Sequence, residues 1–544
     1  MKKNNQTAVP VIVKDRSYLV AIGICVFGFL IRLLSYTNVF NGTYVSFLET
    51  DAYDIMHLAR QISTMPFGQG FHYAVNYGLF FPWLIAQGGR VFPIELVGAW
   101  LPPIIAAITL YLCYLLGKEL FNKTVGLITA AFLAIMPSEF LHRSLLGYAD
   151  HHALEVMLMV LTLYFIVKAI KANQKVWSWS IAAGLSLFFY LANWTAGVLL
   201  IVIVGILALI YLSYSLKRKE GWRKPVLIFG ILFAVAFVLY LPLGGWARLE
   251  GFIPFVNKSH LAVVGLTSQE ILSTEFTPVS KVTTSEMMPL LFPFGSFDLG
   301  VVITNLNIFI VLFICGLPLL WRYRRDDRVM MFSAWALVIT AITLWQRRFL
   351  YYFEIPVAVL SALVIYTIAD SINVKLVITT ALITIPLVLV NIPTANTVVH
   401  VTAFSMNKEW YTDLQWLKTQ PITNSITAWS DYGSWILYET NHQPNLMPGG
   451  GGTEVAQLFL SQNDAEAVKT MTELKTQYLI VDQPTYERKF SALEVTANET
   501  IPQSEIKNTL IYRLLYLIQM PTDLHLTLIH SSATIRIFEF KGVN

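Results

Sequence analysis

Over the first 400 positions, apolar residues come in runs of roughly 16–25, the length a helix needs to cross a bilayer core. Such runs predict membrane helices at roughly 17–36, 91–116, 124–142, 153–171, 177–194, 197–215, 225–243, 300–321, 328–346, 350–368 and 375–396. The short polar loops between them are basic on one side only. Lys118 and Lys123, Lys168, Lys171 and Lys175, the stretch Lys217–Lys224 and the stretch Arg322–Arg328 mark that side, together with Lys2, Lys3, Lys14 and Arg16. This places the N-terminus in the cytoplasm. The run after Ser17 is followed by Arg32 rather than by small residues, so it reads as a retained first helix and not as a cleaved signal peptide. Alternation then puts four features on the opposite face: the loop 37–90, a corner around Asp150, the loop 244–299, and everything after about 397.

The tail has a different pattern. It is more polar, carries Gly449–Gly452, and mixes a helical stretch (Asp464–Leu474) with β-type runs at Tyr478–Val481 and Ala533–Phe538. The predicted fold class is a polytopic α-helical membrane domain of about eleven spans, residues 1–396, followed by an extracytoplasmic mixed α/β domain, residues 397–544. Composition agrees. The 544 residues are 55% hydrophobic and 13% charged, about half the charge of an ordinary soluble chain. The net charge of +4 is dispersed over short loops, which argues against nucleic acid as a partner. Cys25, Cys113 and Cys315 all fall inside apolar runs and read as packing residues.

Candidate chemistry gathers on the outer face. Arg143-Ser-Leu-Leu-Gly-Tyr-Ala-Asp-His-His152 joins two apolar runs, so Asp150 and His152 stand where a helix meets the membrane surface. A carboxylate and an imidazole at i and i+2 can share one divalent cation, with Arg143 holding a phosphate beside it; equally, Asp150 can simply cap the next helix. Asp51 opens an amphipathic stretch in the first loop, either as a cap or as a functional acid. Glu286 lies in the loop 244–299. Arg348 stands at an outer helix end, where an arginine usually has an anionic partner. Trp429-Ser-Asp-Tyr-Gly-Ser-Trp435 combines aromatic rings with Asp431, as ordinary core packing or as a ligand pocket.

Taken together, these residues resemble the catalytic subunit of oligosaccharyltransferase, the membrane enzyme of protein N-glycosylation, in its single-subunit archaeal or bacterial form with a GT-C membrane fold. Trp429-Ser430-Asp431-Tyr432-Gly433 corresponds to the family's Trp-Trp-Asp-Tyr-Gly, Asp51 to its first-loop aspartate, and Asp150 with His152 to its second acidic motif. Glu286 matches the glutamate of the flexible outer loop. Asp482 and Lys489 resemble an Asp/Lys motif near the acceptor pocket. The resemblance implies Asp51 and Glu286 as catalytic residues, and Asp51, Asp150, His152 and Glu286 as ligands of Mn²⁺ or Mg²⁺. Arg143 and Arg348 would bind the lipid pyrophosphate. Trp429, Ser430, Asp431, Asp482 and Lys489 would bind the Asn-x-Ser/Thr acceptor.

The implied partners are a lipid-linked oligosaccharide donor, acceptor polypeptides and membrane lipids, with the enzyme acting as a single subunit in a prokaryotic plasma membrane. Three departures stand out. Ser430 replaces a Trp, the family has thirteen spans, and no Arg follows Glu286 within Met287–Leu299, which predicts no demand for an acidic residue two positions before the acceptor Asn. The alternatives are another lipid-linked glycosyltransferase of the same membrane class, such as a protein O-mannosyltransferase, and a transporter with an external domain. Own sequons occur at Asn41-Gly-Thr43, Asn257-Lys-Ser259 and Asn498-Glu-Thr500.

Overall fold

The computed structural model describes residues 16–40, 42–194, 196–246, 286, 288–293, 296–372, 375–401, 405–448, 452–516 and 522–542. Most of the loop 244–299 therefore lies outside the described residues, as do Asn41, Asn257–Ser259, Gly449–Gly451 and the basic residues Lys2, Lys3 and Lys14. Apolar runs become helices because inside a bilayer each backbone polar group must be satisfied within its own segment. Among the described residues, nine helices are long and apolar enough to cross: Ser17–Val39, Ile94–Leu120, His152–Lys171, Val176–Asn193, Val198–Lys217, Arg223–Leu243, Asp327–Trp345, Arg347–Ser371 and Leu376–Val399.

The other two predicted spans are helical but altered. The one at 124–142 shrinks to Lys123–Ile135, 13 residues, and the chain leaves the helix before Pro137. The one at 300–321 bends by 89° between Gly300–Leu306 and Ile308–Tyr323, at Asn307, whose φ is 47°. Neither break is visible as a change in hydrophobicity.

Small residues let the spans approach closely. A Cβ on Gly126 would lie 2.4 Å from the Tyr114 carbonyl oxygen, and one on Gly117 would lie 2.9 Å from Gly126 Cα. Ile94–Leu120 and Lys123–Ile135 therefore cross backbone to backbone, which only glycine permits. At the basic end of the bundle, Glu119 binds Lys168 (3.1 Å) and Lys171 (2.8 Å), and Arg218 binds Asp327 (2.7 Å).

The loop 37–90 is largely helical, with Thr50–Ser63, Phe67–Tyr77 and Phe80–Gly88. The tail folds around a four-stranded sheet of β1 (Ser425–Thr427), β2 (Thr476–Asp482), β3 (Leu526–Ser531) and β4 (Ile535–Phe540). Its order is β1-β2-β4-β3, with β1 parallel to β2 and the remaining pairs antiparallel. Helices pack around this sheet, and both predicted β-type runs fall in it.

The tail docks on the first loop. Tyr44 stacks on Tyr411 at 4.2 Å, and Tyr44 OH and Ser46 Oγ both donate to the Met406 carbonyl. Arg60 donates to Tyr438 O (3.0 Å), covers the Tyr438 ring at 3.7 Å and pairs with Glu95 (2.8 Å). Helix Thr50–Ser63 thus bridges the membrane bundle and the tail.

Candidate active site

Two spans and the first outer loop clamp the chain between residues 136 and 151 through its backbone. Leu146 N–H donates to Arg32 O, Gly147 N–H to Ala99 O, and Leu48 N–H to Gly147 O, at 3.0–3.1 Å. Gly147 has φ of 86°, and a Cβ there would strike Val39, so glycine is required. The fully buried Arg32 donates to Ser144 Oγ (2.7 Å), while buried Glu354 accepts the Phe140 N–H (2.9 Å). Charged groups at bilayer depth persist only when partnered in this way. Here they fix the corner that carries Asp150.

At that corner the capping role is not filled. His151 is the residue preceding helix His152–Lys171 and makes no side-chain cap; the Asp150 carboxylate accepts only the adjacent His151 N–H (2.6 Å) among the backbone donors. Instead it faces two imidazoles: His151 Nδ1 contacts Oδ1, and His152 Nε2 lies 3.1 Å from Oδ2. Asp150 and His152 are buried, and ligand atoms of Asp150, His151 and His152 all lie within 4.8 Å of one another. Burial opposes charge on Asp150, but the two imidazoles outweigh it and hold its pKa well below the carboxylate range. For His151, burial is likewise outweighed, here by Asp150 and Glu155, and its pKa is pushed up to about 10.

Asp51 lies in the first turn of Thr50–Ser63, after Glu49, and does not serve as the helix cap. Its carboxylate lies near enough to Asp150, Glu286, His151 and His152 to feel their charges. Burial, then the charges of Asp150 and Glu286, raise its pKa.

Glu286 completes the group from the opposite side. Its carboxylate accepts Arg143 Nη2 at 2.6 Å and lies 4.0 Å from Arg348 Nη2. Although burial opposes it, the two guanidiniums bring its pKa down to about 2. Arg347 N–H to Met288 O and Leu290 N–H to Leu344 O hold this segment on the corner before Arg347–Ser371. Both arginines assigned to phosphate therefore meet a carboxylate in this structure, and Arg143 Nε also binds Glu139 (3.0 Å).

In the tail, Lys489 pairs with Asp431, and Tyr432 OH donates to Asp482 Oδ2 at 2.6 Å. Asp482 and Lys489, both at or beyond the end of β2, thus each meet the Trp429–Gly433 segment. Burial raises the Asp482 pKa to about 6. Trp410, Tyr432 and Trp435 form one aromatic cluster with centroids 4.2–5.7 Å apart. Trp429 is buried, and its Nε1–H has no hydrogen-bond partner among the described residues. Ser430 opens the turn that presents Asp431.

Residues 65–321 match the family described as "Oligosaccharyl transferase STT3, N-terminal". That stretch, just under half of the chain, is similar to the STT3 oligosaccharyltransferases. The chain is 22% identical over 97% of its length to the whole of dolichyl-phosphooligosaccharide-protein glycotransferase 1 of Archaeoglobus fulgidus. The oligosaccharyltransferase AglB of that organism, solved with an inhibitory peptide and a dolichol-phosphate, shares the fold with a TM-score of 0.73 at 20% identity, covering 90% of this chain and 72% of the other. A crystal structure of an A. fulgidus oligosaccharyltransferase in complex with zinc and sulfate gives 0.69 at 21% identity, covering 89% and 70%. Four residues around this site, His151, Glu155, Glu139 and Glu49, were not singled out from the sequence. Glu49 lies close enough to Asp51 and Asp150 that burial, together with their charges, pushes its pKa up to about 8. The i, i+4 spacing of His151 and Glu155 was the available signal for that pair.

Proposed function

We propose that the chain transfers an oligosaccharide en bloc from a lipid phosphate or pyrophosphate to the Asn side chain of Asn-x-Ser/Thr, with inversion at the sugar C1 and with a divalent cation. One observation carries this reading: Asp51, Asp150, His152 and Glu286, drawn from three separate regions of sequence, share one cleft, and the helix bearing Asp51 packs against the helix following Trp429–Tyr432. The carboxylate and imidazole donors suit a hard or borderline divalent ion, and the buried Nδ1 of His152, with no aligned hydrogen bond among the described residues, fits a histidine awaiting an oriented role. Asp51, Asp150, His152 and Glu286 would hold Mn²⁺ or Mg²⁺, which supplies charge stabilisation for the departing phosphate.

Arg143 and Arg348 bind that phosphate. Asp51 and Glu286 accept hydrogen bonds from the acceptor NH₂ and weaken its amide conjugation. The Asn nitrogen forms its bond to C1 as the C1–O bond to phosphate breaks; one amide proton passes to the Asp51 carboxylate and the lipid phosphate leaves. Trp429, Ser430 and Asp431, with Asp482 and Lys489 behind them, receive the acceptor hydroxyl two residues on. A Ser430 hydroxyl is shorter than the indole it replaces and reaches the acceptor through water. The names and bound molecules of the A. fulgidus proteins support a lipid-linked donor, a peptide acceptor and a cation site. The site faces outward from a prokaryotic plasma membrane, opposite the basic loops, and works in a single subunit.

Mass spectrometry of a sequon peptide incubated with purified protein, native lipid extract and Mn²⁺ tests this. Transfer to Asn that stops on chelation is the expected result. Modification of Ser instead would assign the chain to the O-mannosyltransferase class. Strict dependence on Asp or Glu two positions before Asn would overturn the relaxed sequon.

A further inference from the structure

Glu155 lies one turn into helix His152–Lys171 and is fully buried. Its Oε2 accepts hydrogen bonds from Tyr352 OH (2.6 Å) and Tyr351 OH (3.1 Å), and Tyr352 OH is 2.7 Å from Tyr190 OH. Its Oε1 stands 2.8 Å from His151 Nε2 and 3.5 Å from His152 Nδ1. A carboxylate inside a membrane helix is retained only where specific partners hold it, and such residues mark functional sites. Oε1 and His152 Nδ1 are both buried, face each other, and have no aligned hydrogen-bond partner among the described residues. A small rotation of the imidazole closes that bond.

We infer that Glu155 is the positioning residue of the cation site. A neutral imidazole carries one N–H, and the group that accepts it decides which nitrogen keeps a lone pair. With Glu155 at Nδ1, the proton of His152 stays there. Nε2, 3.1 Å from Asp150 Oδ2, is left to coordinate. This is the carboxylate–histidine–metal relay that orients ligands and raises their basicity. The two tyrosine hydroxyls occupy Oε2 and so keep Oε1 turned toward the histidines. His151 has no such freedom. Its Nδ1 meets Asp150 and its Nε2 meets Glu155, so it bridges two carboxylates.

The inference rests on the reading of Asp150 and His152 as a cation site, and the test separates the two. Mn²⁺ is titrated into full-length protein and followed by electron paramagnetic resonance, with pulsed measurement of the nitrogen modulation from a coordinated imidazole. Asp150→Ala is expected to abolish binding. Glu155→Gln is expected to weaken binding roughly ten- to a hundred-fold and to diminish the nitrogen modulation. Full Mn²⁺ affinity in Asp150→Ala would overturn the site itself. Loss there, with unchanged affinity and modulation in Glu155→Gln, would overturn only the role of Glu155. If Glu155→Gln does not fold, Tyr351→Phe/Tyr352→Phe frees the carboxylate while keeping its charge. That pair must lower affinity and modulation, and no change in either would overturn the role.

Discussion

The Asp150 corner and the Trp429–Trp435 segment both meet the first outer loop, through Leu48 and Tyr53, but are built on opposite plans. The corner is held by backbone hydrogen bonds from two spans and the first outer loop, by Arg32 and Glu354 at membrane depth, and by a glycine nothing else can replace. Its acids and imidazoles are almost wholly enclosed. The tail segment hangs on aromatic packing and one half-exposed ion pair, Lys489 with Asp431, whose side chains are 33% and 30% exposed. Charge that must act on a reacting bond needs a dry, rigid setting, because electrostatic stabilisation depends on preorganised groups. A segment that receives a peptide must stay open to it.

Mutations that strike the two plans should therefore differ in kind. The largest effect is expected for Asp51→Ala, which removes the acid whose charge faces Asp150 and Glu286: transfer should fall by roughly 10²–10³ in the peptide assay, with the melting temperature unchanged. Undiminished transfer would remove Asp51 from the chemistry. Gly126→Leu attacks the scaffold instead. Its side chain has no room against Tyr114, and overpacking of this kind costs about 1–3 kcal/mol, read as a lowered melting temperature in detergent. Lys489→Ala, on the open side, should raise the KM for peptide several-fold with kcat nearly constant; a pure kcat loss would place Lys489 elsewhere in the mechanism.

The smallest effect concerns Asp482. Its folded pKa of about 6 lies above the ordinary aspartate value, so ionising it is less favourable in the fold than in the unfolded chain. Its contribution is neutral below about pH 4, turns destabilising as pH rises toward 6, and stays so above. Asp482→Asn should flatten that part of the melting-temperature profile while leaving the value at pH 4 unchanged.

Much of this was legible in the chain. Eleven apolar runs gave eleven helical segments, since length and hydropathy decide what crosses a bilayer. Asp51, Asp150 and His152 were singled out by residue type and loop, and Glu286 by the family resemblance; the structure brings their charges within reach of one another. The break before Pro137 and the bend at Asn307 were hidden, because hydropathy carries no information on backbone direction. Glu155 was hidden for a different reason. A carboxylate embedded in an apolar helix offers no periodic signal, and its partners Tyr351 and Tyr352 come from nearly 200 positions away. Nor does spacing reveal that Arg143 and Arg348 meet Glu286, since that contact depends on how the loop 244–299 returns to the bundle.

That last contact shapes which anions the cleft admits. If Arg143 and Arg348 form the proposed donor site, Glu286 seated on both guanidiniums is an internal competitor, much as a plug fills a socket. A small free phosphate has only its own charge with which to displace the carboxylate. A donor whose hydrocarbon tail is already anchored in the bilayer arrives at high local concentration, and the sugar brings contacts of its own. The cleft can thus stand open to an outside rich in simple salts and still keep its arginines for a ligand delivered through the membrane.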